Sequence, residues 1–319
     1  MNARRPATLP RQPLGLGIDA GGTQARWALA HADGSVVAEG AVPGFSGPHL
    51  ATAAGRRHAL AAVVALRQAV AAAGYGPPDA LWAGITGHDD DAGPGMARFL
   101  ASGLDVPQAV RVFNDVELAA RLCFAPGGGY LVYAGTGSIA WFIDADRQAF
   151  HVGGKGSLLG DEGSGYWVAR EALALLWRRE DEAPGAMADT ALAKHVFAAV
   201  GGARWDDTRQ AVHRLGRGEL GTLALAVAAA AAEGDTDALA LFRQAGVELA
   251  RLASLLLKRF GPRPVAVAGR AVGLHPALFA SMQAALPGGT PLQALVLAVH
   301  RDAAVAAARS VAGQTQVLA

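Results

Sequence analysis

Apolar residues form short runs punctuated by glycine in the first half of the chain and recur at helical spacing in much of the second. Leu14 to Ile18 runs into Asp19, Gly21, Gly22 and Thr23, and Ala25 to Ala30 and Ser35 to Val42 follow with Asp33-Gly34 between them, which predicts an antiparallel meander. The loop Pro43 to Pro48 leads into a helix over about His49 to Ala73. Beyond the break at Pro77-Pro78, Ala80 to Thr86 and Val110 to Phe113 are buried strands, the latter followed by a helix over Val116 to Phe124. The pattern then restarts. Gly129 to Ala134, the turn Gly135-Thr136-Gly137-Ser138 and Ile139 to Ile143 repeat the strand, glycine turn and strand of the first hairpin, with a turn at Asp144 to Arg147. An internal duplication with a cleft between the halves is the expectation. A glycine-dense loop, Gly153 to Gly165, precedes a helix over Tyr166 to Arg179. Ala186 to Phe260 reads as helical throughout, broken at Gly201-Gly202 and Gly234. Pro264 to Ala268 is a last buried strand, and His275 to Leu286 and Leu292 to Ala312 read as closing helices.

A length of 319 residues suits two domains, and 52% hydrophobic against 17% charged residues predicts a compact fold. The formal net charge of +1 gives no general attraction to nucleic acid or to an acidic membrane. Cys123 is the single cysteine, which excludes an internal disulfide and a repeated Cys-x-x-Cys zinc site and suits a reducing cytoplasm. The segment Met1 to Pro13, with Arg4, Arg5 and Arg11, reads as a disordered leader, because Asp19 interrupts any signal-peptide core behind it. Alanine-rich stretches such as Leu220 to Ala232 are too short to span a bilayer.

Candidate chemistry begins at the first hairpin. Glycine lets a backbone approach a polyanion unobstructed, so Gly21 and Gly22 suit a phosphate; Thr23 adds a hydroxyl donor, and Asp19 can hold a hydrated magnesium ion. A tight β-turn explains the same glycines. Their place at a hairpin tip, rather than ahead of a helix, argues against the Rossmann and Walker arrangements. Asp115, after Asn114 at a strand's carboxyl end, is either the N-cap of the next helix or a group in the chemistry. His88, Asp89, Asp90 and Asp91 read as an acidic solvated loop rather than a metal site. The loop ending in Asp161, Glu162 and Ser164 either caps the following helix or closes over a cleft.

Taken in order, Asp19 to Thr23, Asn114-Asp115, Ala134 to Ser138, Gly160 to Gly165 and Ala268-Gly269 resemble the sugar kinase, heat-shock chaperone and actin superfamily. The resemblance is narrower to its N-acetylglucosamine kinase branch, grouped with the activator ATPases of benzoyl-CoA reductase and 2-hydroxyacyl-CoA dehydratase. It covers nearly the whole chain from Leu14, and the run Gly160 to Trp167 is its most specific part.

This resemblance implies an α/β protein of two ribonuclease-H-like, actin-like ATPase domains with ATP in the cleft between them. The first would span residues 14–118 and be joined by the closing helix 297–312; the second would span residues 119–296 and carry the helical body. By resemblance, Asp19 is the magnesium-associated aspartate. Gly21, Gly22, Thr23, Gly135, Thr136 and Gly137 grip phosphates, and Gly269 belongs to the adenosine turn. Asp115 is the catalytic base, and Asn114, Gly154, Lys155 and Asp161 lie where the sugar binds. The implied activity is ATP-dependent phosphorylation of N-acetylglucosamine or glucosamine at the 6-hydroxyl, in a homodimer with no nucleic-acid or membrane partner.

The chain departs from the family pattern at three places. Lys155 stands where the family has an aromatic residue, the 43–49 loop lacks an asparagine that touches the sugar, and Arg270 replaces a second glycine of the adenosine turn. Lys155 either is solvated or replaces ring stacking with a polar contact, which favours a differently substituted or acidic sugar. The alternative activity is that of an activator ATPase. Those proteins hold an iron–sulfur cluster with two cysteines from each subunit, against the one cysteine here. A sugar-responsive repressor needs an N-terminal helix-turn-helix, for which a strand beginning at Leu14 leaves no room.

Overall fold

The computed structural model describes residues 12–88, 95–106 and 109–312. The expected leader lies outside the described residues as far as Arg11, as do Asp89, Asp90 and Asp91 of the acidic loop. The chain divides into two compact units, one comprising the described residues of Met1–Ala125 and Ala298–Ala319, the other Pro126–Leu297.

The first unit runs β1 (Leu14–Ala20), β2 (Gln24–His31), β3 (Val36–Pro43), α1 (Ala53–Ala72), β4 (Ala80–Ile85), α2 (Gly95–Leu104), β5 (Val110–Asn114) and α3 (Asp115–Cys123). Its five-stranded sheet has the order β3-β2-β1-β4-β5, with β1 antiparallel to β2 and parallel to β4, and β4 parallel to β5. Strand alternation decides what packs on each face of β1. Leu14, Leu16 and Ile18 join the core shared with Ala59, Ala62, Val63 and Leu66 of α1. Gly15 and Gly17 face the other way, towards a helix supplied by residues 299–311. A Cβ on either would overlap that helix's backbone, at the carbonyl oxygens of Ala304 and His300 respectively. Glycine here sets how closely helix and strand approach.

The second unit runs β6 (Tyr130–Ala134), β7 (Ser138–Ile143), β8 (Ala149–Gly153), α4 (Gly165–Glu182), α5 (Ala191–Val200), α6 (Trp205–Arg214), α7 (Arg217–Gly221), α8 (Ala224–Ala232), α9 (Thr236–Phe260), β9 (Val265–Ala268), α10 (Pro276–Ala285) and β10 (Leu292–Leu295). The chain then returns to the first unit as α11 (Val299–Val311). The second sheet has the order β10-β9-β6-β7-β8, with β6 antiparallel to β7 and parallel to β9. Read from the meander outward, both sheets have one topology: β8-β7-β6-β9-β10 repeats β3-β2-β1-β4-β5. The duplication expected from two glycine-tipped hairpins is present in the strand order itself.

Four segments differ from the expectation, one of them β8, an added strand antiparallel to β7. Leu292 to Ala312 is not one helix, because Leu292–Leu295 pairs in parallel with β9 and so completes that strand's hydrogen bonding before α11 begins. The helix expected from His49 starts at Ala53, where Thr52 accepts the Gly55 amide as N-cap, and is preceded by a 3₁₀ turn over Gly47–Ala51. α2, with buried Met96, Leu100 and Leu104 at helical spacing, is an additional element. Among the described residues no helix is long and apolar enough to cross a membrane.

Candidate active site

The candidate residues fall into two groups, one in each unit. In the first, hairpin register sets Asp19 directly opposite Arg26, and Arg26 Nη2 donates to Asp19 Oδ2 at 2.7 Å. The turn is closed by the Gly21 amide on the Gln24 carbonyl at 3.0 Å. Gly22 and Thr23 are exposed, and a Cβ added at Gly22 meets no atom within 4 Å, so the space beside Gly22 is open.

Parallel pairing brings the ends of β4 and β5 to the same sheet edge, with Ile85 beside Asn114. Thr86 Oγ1 donates to Asp115 Oδ2 at 2.6 Å, while the Val116 amide donates to Asp115 Oδ1 and to Asn114 Oδ1, each at 3.0 Å. Asn114 is the N-cap of α3 and Asp115 the first helical residue, so the capping alternative for Asp115 is corrected. Burial raises the Asp115 carboxyl above its ordinary pKa against the hydrogen bonds from Thr86 and Val116, and the negative charge of Asp19 adds to the rise. A carboxyl perturbed by desolvation at a sheet's carboxyl edge is a candidate for the chemistry of the site.

The 43–49 loop is fastened to both strand ends. The Gly44 amide donates to the Thr23 carbonyl and the Gly47 amide to the Thr86 carbonyl, each at 3.0 Å. His49 Nδ1 accepts the Ser46 amide at 3.0 Å, which sets its ring orientation.

In the second unit, the first amides of α4 hold the glycine turn: Gly165 N–H donates to the Gly135 carbonyl at 2.9 Å and Tyr166 N–H to that of Thr136 at 3.3 Å. Ser164 caps this helix by accepting the Trp167 amide at 3.2 Å, which resolves the capping alternatives in its favour. Gly269, at φ 104°, abuts the Ala134 carbonyl, so the end of β9 lies against the start of the turn. The Ser138 amide donates to Asp161 Oδ1 at 3.2 Å, and Ser138 Oγ donates to the Glu162 carbonyl at 2.7 Å. Asp161 adopts a left-handed φ of 65° and is 2% exposed, with Arg217 Nη2 at 2.7 Å from its Oδ2. Gly154, Lys155 and Arg270 are exposed, and the Lys155 Cβ stands beside Gly160.

The structure thus gathers Asp19, Gly21, Gly22, Thr23, Asn114 and Asp115 in one unit and Gly135, Thr136, Gly137, Asp161 and Gly269 in the other. Arg26, Thr86 and Arg217 went unread in the sequence. Arg26 was legible from hairpin register, since a two-stranded turn at Gly21 to Thr23 pairs it with Asp19. Among the described residues no three His, Cys, Asp or Glu side chains converge as a metal site. Magnesium carried on a triphosphate needs only one or two carboxylates and keeps several waters, so Asp19 alone fits it.

Residues 16–278 match the BadF/BadG/BcrA/BcrD ATPase family. The chain belongs to that family. Membership of the BadF/BadG/BcrA/BcrD ATPases brings ATP with it as the nucleotide. The fold agrees with solved structures: a candidate N-acetylglucosamine kinase from Chromobacterium violaceum is 25% identical, with a TM-score of 0.66 over 92% of this chain and 99% of that one. A second candidate N-acetylglucosamine kinase, from Porphyromonas gingivalis, is 20% identical, with a TM-score of 0.68 over 90% and 96% of the two chains. A curated relative, the N-acetylmuramic acid/N-acetylglucosamine kinase of Clostridium acetobutylicum, is 30% identical over 94 residues, which span 30% of this chain and 31% of the relative. The expected class, an α/β protein of two ribonuclease-H-like, actin-like ATPase domains, is borne out, and each unit is built on a five-stranded mixed sheet.

Proposed function

We propose that this BadF/BadG/BcrA/BcrD ATPase is a kinase that transfers the terminal phosphoryl of ATP to the 6-hydroxyl of an amino sugar, N-acetylglucosamine or glucosamine, with Asp115 as base. The observation that carries the proposal is the Asp115 carboxyl, raised by burial and steered by Thr86 at the edge where β1, β4 and β5 end. The kinase names borne by the relatives support a sugar as acceptor.

Bound ATP with magnesium supplies the activated phosphoryl group. Phosphoryl transfer has a loose transition state, so the residues act mainly by positioning and by meeting charge. Asp115 accepts a hydrogen bond from the sugar hydroxyl and takes its proton as the bond to phosphorus forms, and Thr86 fixes the carboxylate's orientation. Asp19, steadied by Arg26, would hold the hydrated magnesium, which would offset the charge of the phosphates. Gly21, Gly22 and Thr23 on one unit, and Gly135, Thr136 and Gly137 on the other, offer amides and hydroxyls to the phosphates, and Gly269 bounds the adenosine. Asn114, Gly154 and Lys155 line the sugar's place, and the protein works as a cytoplasmic homodimer.

A coupled ADP-release assay over a panel of hexoses and amino sugars tests this. Amino sugars are expected to stimulate ADP release, with a phosphate on the 6-position by mass spectrometry; release indifferent to sugar, or none with any sugar, overturns the proposal. The activator-ATPase alternative predicts a stoichiometric cluster. Cys123 is the sole cysteine and burial pushes its thiol up to about 11, which disfavours the thiolate a cluster needs. Anaerobically purified protein is expected to contain neither iron nor sulfide in stoichiometric amount.

A further inference from the structure

Arg217 has no part in the reaction as described, yet it lies on the second glycine turn. A Cβ on Gly137 would collide with Arg217 Nη2, and a Cβ on Gly221, at the other end of α7, would stand 3.4 Å from the Thr136 methyl. α7 therefore packs along the turn, with the guanidinium over its second glycine, Gly137. The same Nη2 is 2.7 Å from Asp161 Oδ2. That contact is ionic rather than a directed hydrogen bond, and Oδ2 is closed to solvent. Oδ1 is taken by the Ser138 amide. Arg217 is the reverse case, with its side chain 45% exposed against 2% for Asp161.

We infer that Arg217 is an anion-contacting residue of this site and that Asp161 is the positioning residue that holds it. The buried carboxylate anchors one nitrogen, and the guanidinium's remaining donors form a rigid fork matched to phosphoryl or carboxylate oxygens. The shared ligand chemistry is a pair of anionic oxygens. One source is the terminal phosphoryl of the nucleotide, which the 135–138 turn would hold; the other is a carboxylate on the sugar, for which exposed Lys155 beside Gly160 supplies a second cation. The inference rests on the kinase reading for the presence of phosphates at that turn.

The test compares the wild type with Arg217→Gln and Arg217→Lys. Calorimetric titration with magnesium and ADP, then with the non-hydrolysable analogue AMP-PNP, isolates the contact to the terminal phosphoryl; kcat/KM for a neutral amino sugar and its carboxylate-bearing counterpart isolates the contact to the sugar. If the source is the phosphoryl, Arg217→Gln weakens AMP-PNP about tenfold and leaves ADP unchanged. If it is a sugar carboxylate, both nucleotides are unaffected and only the acidic sugar loses about tenfold in kcat/KM. Arg217→Lys preserves the ion pair to Asp161, and hence the fold, but loses the fork, so it retains only part of either preference. Equal weakening of ADP and AMP-PNP with no loss confined to the acidic sugar, or no change in any of these in a variant with wild-type circular dichroism, overturns the inference. The nucleotide arm needs no sugar turnover, so it stands or falls apart from the choice of acceptor.

Discussion

Asp115→Asn is expected to lower kcat by about 10²–10⁴-fold while leaving the protein at least as stable as the wild type at neutral pH. Under the proposed function the rate falls because an amide takes no proton from the sugar hydroxyl, although its oxygen still orients one. The stability follows from the direction of the pKa shift. Burial raises the folded carboxyl above its unfolded value, so folding favours the protonated form. That contribution is complete below the unfolded pKa and is lost as pH rises through the raised folded pKa, so ionising Asp115 in the folded protein costs stability. Asparagine removes the buried charge. For the wild type the same shift places the acid limb of kcat/KM above the usual aspartate range, and the limb disappears in the variant. Steady-state kinetics across pH, with urea denaturation at pH 7, measure both; an active Asp115→Asn protein removes Asp115 from the chemistry.

Gly17→Ala is expected to cost about 3 kcal/mol, or roughly 6–12 °C in Tm. The new methyl falls on the His300 carbonyl oxygen and close to the Ala304 amide, which are backbone atoms of α11 and cannot rotate aside. The helix could rise only by giving up its close packing on Gly15 one turn further along, at the Ala304 carbonyl and the Ala308 amide. Gly22→Ala in the same hairpin is the control: it meets nothing within 4 Å and leaves Tm unchanged. Its methyl enters the space assigned to phosphate and weakens AMP-PNP binding. Thermal scans and calorimetry on the two variants separate glycine needed for packing from glycine needed for ligand. Equal stability losses in both, or none in Gly17→Ala, contradict this division.

What was legible in the chain depended on how local its cause was. Strands β1, β2, β6 and β7 announce themselves because apolar runs end in glycine turns, and the repeat of that pattern foretold a repeated sheet. The four residues of β10 carry no such mark: Leu292 and Leu295 fit a helix as readily as a strand, and pairing with β9 decides the matter. Asp115 stood out through its place after a strand, whereas Thr86, which steers it, is identifiable only once β4 and β5 lie side by side. Arg217 was hidden most fully. It sits between Gly216 and Gly218 in a helix of five residues, and both groups that give it meaning, Gly137 and Asp161, arrive from distant parts of the chain.

The return of α11 to β1 bears on the order of synthesis. A ribosome delivers the first meander and its glycine-bearing strand long before it delivers residues 299–311, and completes the whole intervening unit in between. Until α11 emerges, one side of the nascent β1 lacks its cover and is open to chaperones or to aggregation, whereas residues 126–297 form a continuous insert that has every strand of its own sheet.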